Sequence, residues 1–201
     1  MPTLRDRKRE RTRRALVEAA TDLFEQRGYE RTTVADIAAA ADIGTRTFFS
    51  YFGSKEEVLF PEADDRVRAA VAAIEARGPG DRPMDTLLSA LAEVNQGGDE
   101  MVGRLAALRV RLTQTVPAVR GRALQVQLDA QREIARHLHA AYPRELDEVA
   151  AGALVGAFVG AVTGALQVLL DDPDALPADS DELGDRLRTA TEIALRPWRS
   201  V

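Results

Sequence analysis

Thr45, Arg46, Thr47, Ser50, Tyr51 and Lys55 gather hydroxyl, guanidinium and ammonium groups into one short stretch, with Phe49 among them and Thr33 ahead of them. These groups offer recognition chemistry rather than bond making. A guanidinium fork matches the O6 and N7 acceptors of guanine, and a good bidentate contact is worth about 1–3 kcal/mol of discrimination. Arg46 is therefore the candidate for reading a base edge. Lys55, Thr33 and the Tyr51 hydroxyl suit phosphate oxygens, which fix register without reading sequence. Catalytic groupings do not stand out. His137 and His139 are two apart on a predicted helix, so they point about 200° from each other and cannot chelate one ion. There is no H-E-x-x-H, Walker loop or nucleophile elbow, and the scattered carboxylates read as solvated faces. The expectation is no enzyme, no metal and no cofactor.

The elements that must hold this set can be read around it. Thr33 begins a helix, with Asp36 three residues on as a capping-box partner. Val34, Ile37, Ala38 and Ala41 recur at helical spacing and give one apolar face. Asp42 stands at the turn, where a left-handed residue is needed and Asp is tolerated. Ile43 plugs the gap, and a second helix is predicted over Thr45–Phe52 with Phe48 and Phe52 on its buried side. Thr45, Arg46 and Phe49 then point outward, with Thr47 and Ser50 at the edges. Ser54 and Glu57 form a second predicted capping box. A major groove admits one helix and needs a second to brace it across the backbone, so this is a helix-turn-helix pattern. The bland alternative is a small helical hairpin whose aromatics only fill a core.

The run Ile43-Gly44-Thr45-Arg46-Thr47-Phe48-Phe49-Ser50-Tyr51-Phe52, followed by Ser54-Lys55-Glu56-Glu57, resembles the DNA-binding domain of TetR-family transcriptional regulators. By motif the resemblance covers about Thr12 to Phe60. Asp42 departs from the family's usual turn Gly, Gly44 from a usual Ser, and Phe49 from a Tyr whose hydroxyl commonly touches phosphate. The resemblance implies a cytoplasmic, nucleoid-associated regulator. It would be a repressor that binds a palindromic operator as a homodimer and is released by a small-molecule effector. The T-F-F-x-Y-F variant is similar to a branch of which some members sense acyl-CoA-like ligands.

At 201 residues, 45% hydrophobic and 29% charged, the chain can bury a full core and is not of disordered composition. No segment alternates as a strand should, so the fold class is all-α: a three-helix domain with a basic arm over 1–53, then a helical effector-binding and dimerisation domain over 54–201. Residues 1–14 hold seven bases against two acids, a net +5, which leaves −10 on the remaining 187 of a chain whose total is −5. A basic end on an acidic body fits a protein that meets a polyanion at one end. A merely solvated charge run is the common alternative, but a place directly before the helix-turn-helix points toward phosphate or minor-groove contact. The absence of cysteine excludes disulfides and thiol chemistry, and the N-terminus lacks the apolar stretch of a signal peptide.

The first helix is predicted over Thr12–Gln26, with Leu16, Ala20, Leu23 and Phe24 inward and Gly28 as its cap. A fourth begins at Ser54, and Pro61 should kink or interrupt it near Glu57. Further helices are predicted over Met84–Asn95, Asp99–Thr115, Pro117–Tyr142, Glu145–Leu170 and Ser180–Leu195, punctuated by Gly and Pro. Val149–Leu170 carries no charge over 22 residues, enough to span a bilayer, yet its Ala and Gly content and acidic flanks favour a buried helix. Gly152, Gly156, Gly160 and Gly164 make a smooth stripe that a second helix can approach closely, and Leu183, Leu187, Ala190 and Ala194 make an apolar stripe on the last helix. The resemblance assigns these two helices to a homodimer bundle; a role in the chain's own core is the alternative. A two-fold pair reads two half-sites and multiplies discrimination.

By resemblance, the effector sits among the C-terminal helices, with Leu87, Leu91, Leu105, Leu108, Leu112, Phe158 and Leu166 as candidate lining. Arg104, Arg109 and Arg111 could meet an anionic head group or simply be solvated. Two rival readings are an enzyme or ligand carrier with a retired DNA-binding domain, and a protein anchored in a membrane through 149–170.

Overall fold

Thr3 and Asp6 decide where the first helix begins. In the computed structural model, which describes residues 3–95, 100–171 and 180–196, the Asp6 amide donates to the Thr3 hydroxyl at 3.2 Å and the Thr3 amide donates to the Asp6 carboxylate at 2.9 Å. This reciprocal cap opens α1 at Leu4, and the helix runs to Arg27. The basic segment is thus helical; the expected start at Thr12 is corrected, because the cap satisfies the first amides of a segment whose charges alone would favour coil. Gly28, at φ 82°, closes α1 as expected.

There follow α2 (Val34–Ala40), α3 (Thr45–Phe48), a 3-10 turn at Glu56–Leu59, α4 (Ala63–Glu75), α5 (Pro83–Asn95), α6 (Glu100–Thr115), α7 (Pro117–Ala141), α8 (Glu148–Asp171) and α9 (Ser180–Leu195). Every regular element among the described residues is helical. Pro61 falls between the 3-10 turn and α4, so the predicted fourth helix is interrupted rather than kinked.

The chain divides into two compact units, Met1–Pro61 with Asp99–Leu124, and Glu62–Gly98 with Gln125–Val201. In the first, Leu16, Ala20, Phe24, Ile37, Phe48, Phe52, Val58 and Leu59 pack with Leu105, Leu108, Leu112, Val116 and Val119. Arginines reinforce this packing. Arg104 donates to Asp22 at 2.8 Å and to Glu25 at 3.0 Å on α1, Arg109 donates to the Leu59 carbonyl at 3.2 Å, and Arg122 pairs with Glu57 at 3.3 Å.

In the second unit, Ile74, Met84, Leu87, Leu138, Tyr142, Leu146, Leu154, Val155, Phe158 and Leu195 form the core. The Thr86 and Tyr142 hydroxyls bond to each other inside it. Within one chain only 22% of the apolar stretch of α8 is buried. Ala151, Leu154, Val155 and Phe158 face inward, while Val149 and Val168 stand 80% and 71% exposed. Its length and composition alone would suit a membrane.

Candidate nucleic-acid interface

The helix-turn-helix is built by two local devices. At the start of α2 the Asp36 amide donates to the Thr33 hydroxyl at 3.1 Å, and the Asp36 carboxylate accepts the Thr33 amide at 2.8 Å and its hydroxyl at 2.6 Å. These bonds hold the Asp36 carboxyl below the usual range. At its end, the Ile43 amide reaches back to the Ala38 carbonyl at 2.9 Å and the Asp42 amide to Ala39 at 3.1 Å. That pair of bonds is a Schellman cap, with Asp42 at φ 55° in the left-handed position and Ile43 as its apolar follower on the core. Asp42 is the only non-glycine residue at positive φ among those described.

Gly44 caps α3 without a side-chain oxygen. The α-helix covers only Thr45–Phe48, where Thr45–Phe52 was predicted. Beyond it the amides of Ser50 and Tyr51 bond three residues back, to Thr47 and Phe48, and the Ser50 hydroxyl donates to the Thr47 carbonyl at 2.6 Å. The tightening follows from the run of Thr, Phe and Ser, poor helix formers of which Ser bonds back to the chain. Phe48 and Phe52 are buried as predicted, at 0% and 2% exposure.

The outward set is in place. Thr45, Arg46, Thr47, Phe49 and Ser50 are exposed, and Tyr51 is half-buried. Phe49 stands edge-on to Phe48 at 5.4 Å between ring centroids. Arg46 makes no hydrogen bond or ion pair among the described residues, so its fork is available to an external acceptor.

Lys55 is largely engaged within the protein. Its ammonium donates to the Tyr29 and Thr32 carbonyls, each at 2.9 Å, and lies 3.8 Å from the Tyr29 ring centroid. Two of its three donors are committed inside the protein, which makes it a brace between the loop after α1 and the 3-10 turn. Tyr29 donates its hydroxyl to Glu56. Burial, reinforced by that carboxylate, pushes the Tyr29 hydroxyl up. Burial would also raise the Glu56 carboxyl, but the Tyr29 bond, further hydrogen bonds and the Lys55 charge together hold it below its ordinary value. The second predicted capping box is half formed: Ser54 accepts the Glu57 amide at 3.3 Å, while the Glu57 carboxylate takes the Gly53 amide at 2.6 Å.

On α1, the Arg9 guanidinium lies 5.6 Å from the Tyr51 ring centroid and that of Arg13 lies 5.0 Å from Phe52. Arg13 also donates to the Pro61 carbonyl. Arg5, Arg7, Lys8 and Arg11 are exposed.

The candidate effector lining divides between the two cores. Leu105, Leu108 and Leu112 belong to the first core, whereas Leu87, Leu91 and Phe158 belong to the second; Leu166 is half-buried. Arg104 and Arg109 are engaged as described above, and Arg111 is exposed. Along the glycine stripe Gly152, Gly160 and Gly164 are exposed and Gly156 half-exposed; Ala190 is half-buried, but Leu187 turns into the chain's own core, and the Leu183 side chain lies outside the described part of the chain. His139 bonds to the Leu146 carbonyl at 2.9 Å, and no metal-binding cluster of His and carboxylates occurs among the described residues. The α6 leucines were expected as effector lining; their spacing carried no mark of the core they enter.

Comparison with known proteins agrees with this geometry. A family model described as "Bacterial regulatory proteins, tetR family" matches residues 16–60, and one described as "MftR C-terminal domain" matches residues 81–192. The HTH-type transcriptional regulator TcmR of Streptomyces glaucescens is 36% identical over 152 residues, covering 73% of this chain and 67% of its own length. Among solved structures, a TetR-family regulator from Syntrophomonas wolfei superposes with a TM-score of 0.64 at 18% identity, over 93% of this chain and 96% of that one. The Thermus thermophilus FadR repressor in complex with lauroyl-CoA superposes with a TM-score of 0.58 at 21% identity, over 92% and 91%. With the helix-turn-helix formed and its outward set exposed, the chain belongs to the TetR family of DNA-binding transcriptional regulators.

Proposed function

We propose that this chain is a cytoplasmic, nucleoid-associated repressor that binds a palindromic operator as a homodimer through α3 and leaves it when a small apolar effector binds. Residues 1–53 carry the reading head, packed with the 3-10 turn and α6, and the remaining helices of 54–201 serve effector binding and dimerisation. The observation that carries the reading is the uncommitted Arg46 fork, held outward with Thr45 and Thr47 by the Asp42 turn on one side and the Phe48–Phe52 anchor on the other. Thr33, Phe49, Ser50 and Tyr51 supply flanking contacts, and Lys55 has one donor left for a phosphate.

Two observations support the dimer. The α8 face bearing Val149, Gly152, Gly160, Gly164 and Val168 is exposed, and a Cβ built on any of the four stripe glycines meets no atom within 4 Å. The chain's own packing does not require glycine there, whereas close approach of a second α8 does. A membrane would also cover such a face; recovery of the protein in the soluble fraction without detergent favours the dimer. The effector class is taken from the acyl-CoA bound to the structural neighbour, and the apolar second core offers the lining.

The test is binding to duplexes tiled across the DNA flanking its own gene. Tight binding to one palindrome is expected, with Arg46→Ala weakening it by about 1–3 kcal/mol and relaxing base choice at one position of each half-site. Acyl-CoA titrated into the complex is expected to release the DNA. Equal affinity of the variant and the unaltered protein for every duplex overturns the Arg46 assignment.

A further inference from the structure

We propose that Arg5 and Arg9 form a phosphate-gripping stripe on α1, set on the face that continues the buried seam of that helix and running beside Tyr51. The proposal rests on the operator-binding reading above and assigns its backbone contacts.

Arg5, Arg9 and Arg13 are spaced by four, and Leu16, Ala20 and Phe24 continue the same stripe one, two and three turns further on. Leu16 and Ala20 are fully buried, so this face of α1 is the one applied to the helix-turn-helix core. Towards the start of the helix that core runs out. Arg13, half-buried, still lies on Phe52; Arg9, exposed, reaches only the Tyr51 ring; Arg5, one turn beyond, is exposed. The stripe therefore emerges from the protein beside Tyr51, at the end of the recognition segment. A guanidinium held over an aromatic ring keeps its N–H donors free for phosphate oxygens. The Thr3–Asp6 cap keeps Arg5 and Arg9 on a helix and hence in line.

Three other bases of α1 point away from the stripe. Arg7, Arg11 and Arg14 lie on the opposite face, and Arg14 pairs with Glu18 at 3.9 Å. The helix thus carries its own control: two pairs of like charge, equal in number and on opposite faces.

The experiment measures operator affinity against salt for the full chain, for Arg5→Ala/Arg9→Ala and for Arg7→Ala/Arg11→Ala. Each phosphate contact contributes about 0.9 to the slope of log K against log salt, so the first pair is expected to lower the slope by about 2. The second is expected to leave it nearly unchanged, and both variants should keep the helical content and melting temperature of the parent. Arg9→Lys should retain the slope while losing part of the affinity, because the charge stays and the forked guanidinium over Tyr51 goes. Equal losses from both pairs would mean that net charge alone matters, and a larger loss from Arg7→Ala/Arg11→Ala would put DNA on the other face; either result overturns the stripe. A parent protein with no duplex preference at any salt overturns the operator-binding reading itself, whereas a parent that binds tightly with an unchanged slope in Arg5→Ala/Arg9→Ala removes only the stripe.

Discussion

Asp42 occupies the left-handed position that the turn requires, with φ 55° and its amide bonded to Ala39. An L-residue pays roughly 1–2 kcal/mol there, less for Asp, whose short side chain bonds locally. Asp42→Val is therefore expected to destabilise the protein by about 1–2 kcal/mol in a thermal melt, while Asp42→Gly should be neutral or slightly stabilising because relief of strain offsets added chain entropy. Asp36 and Glu56 give the head an acid limit. Both carboxyls are held below their ordinary values in the folded protein, so the stability they confer is complete above the usual carboxylate range and is lost as pH falls through the lowered folded values. Melting temperatures followed from neutral pH to about pH 2 should fall through that window, and Thr33→Ala should flatten the part owed to Asp36. The sequence disclosed both residues of the Thr33–Asp36 cap, because such a cap is local. It did not disclose that Lys55 turns inward, because its acceptors lie on a loop 23 and 26 residues away.

At the scale of elements, α6 completes the reading head. Leu105, Leu108 and Leu112 recur on one face of α6, so their burial was legible; the core they join was not, since periodicity shows that a face is covered and leaves its cover unnamed. Leu108, 2% exposed, is the sharpest probe. Leu108→Ala is expected to cost about 2–5 kcal/mol and to lower the melting temperature of the DNA-binding unit. A direct effector contact would instead spare stability and change only ligand affinity, so denaturation and ligand titration on the same variant separate the two. The extent of α1 was under-read for a related reason. Seven bases in fourteen residues suggested an arm, and the Thr3–Asp6 cap that makes them helical sits at the extreme edge of the pattern.

For the whole molecule, the exposed α8 face is an apolar surface that one chain leaves uncovered. Gly160→Glu adds helix propensity, by roughly 0.5–1 kcal/mol as the loss of glycine, and meets no neighbour within the chain. It should fold normally, sediment as a monomer where the parent sediments as a dimer, and bind a palindrome no better than a single half-site. A Gly160→Glu dimer with parental affinity would place the interface elsewhere. The fold class and helix order were readable from composition and Gly/Pro punctuation, since those signals are local. The exposure of α8 was not, because an uncharged helix reads alike whether its own chain, a second copy or lipid covers it.

The basic turns of α1 are already wound before any polyanion arrives. A disordered basic tail folds as it binds and shows a large heat-capacity change, a cost in order and a wide capture radius. This helix has none of those traits: its association should be calorimetrically quiet beyond the surface it buries, and the rate of encounter should follow the long-range charge field and its screening by salt rather than the reach of a flexible chain.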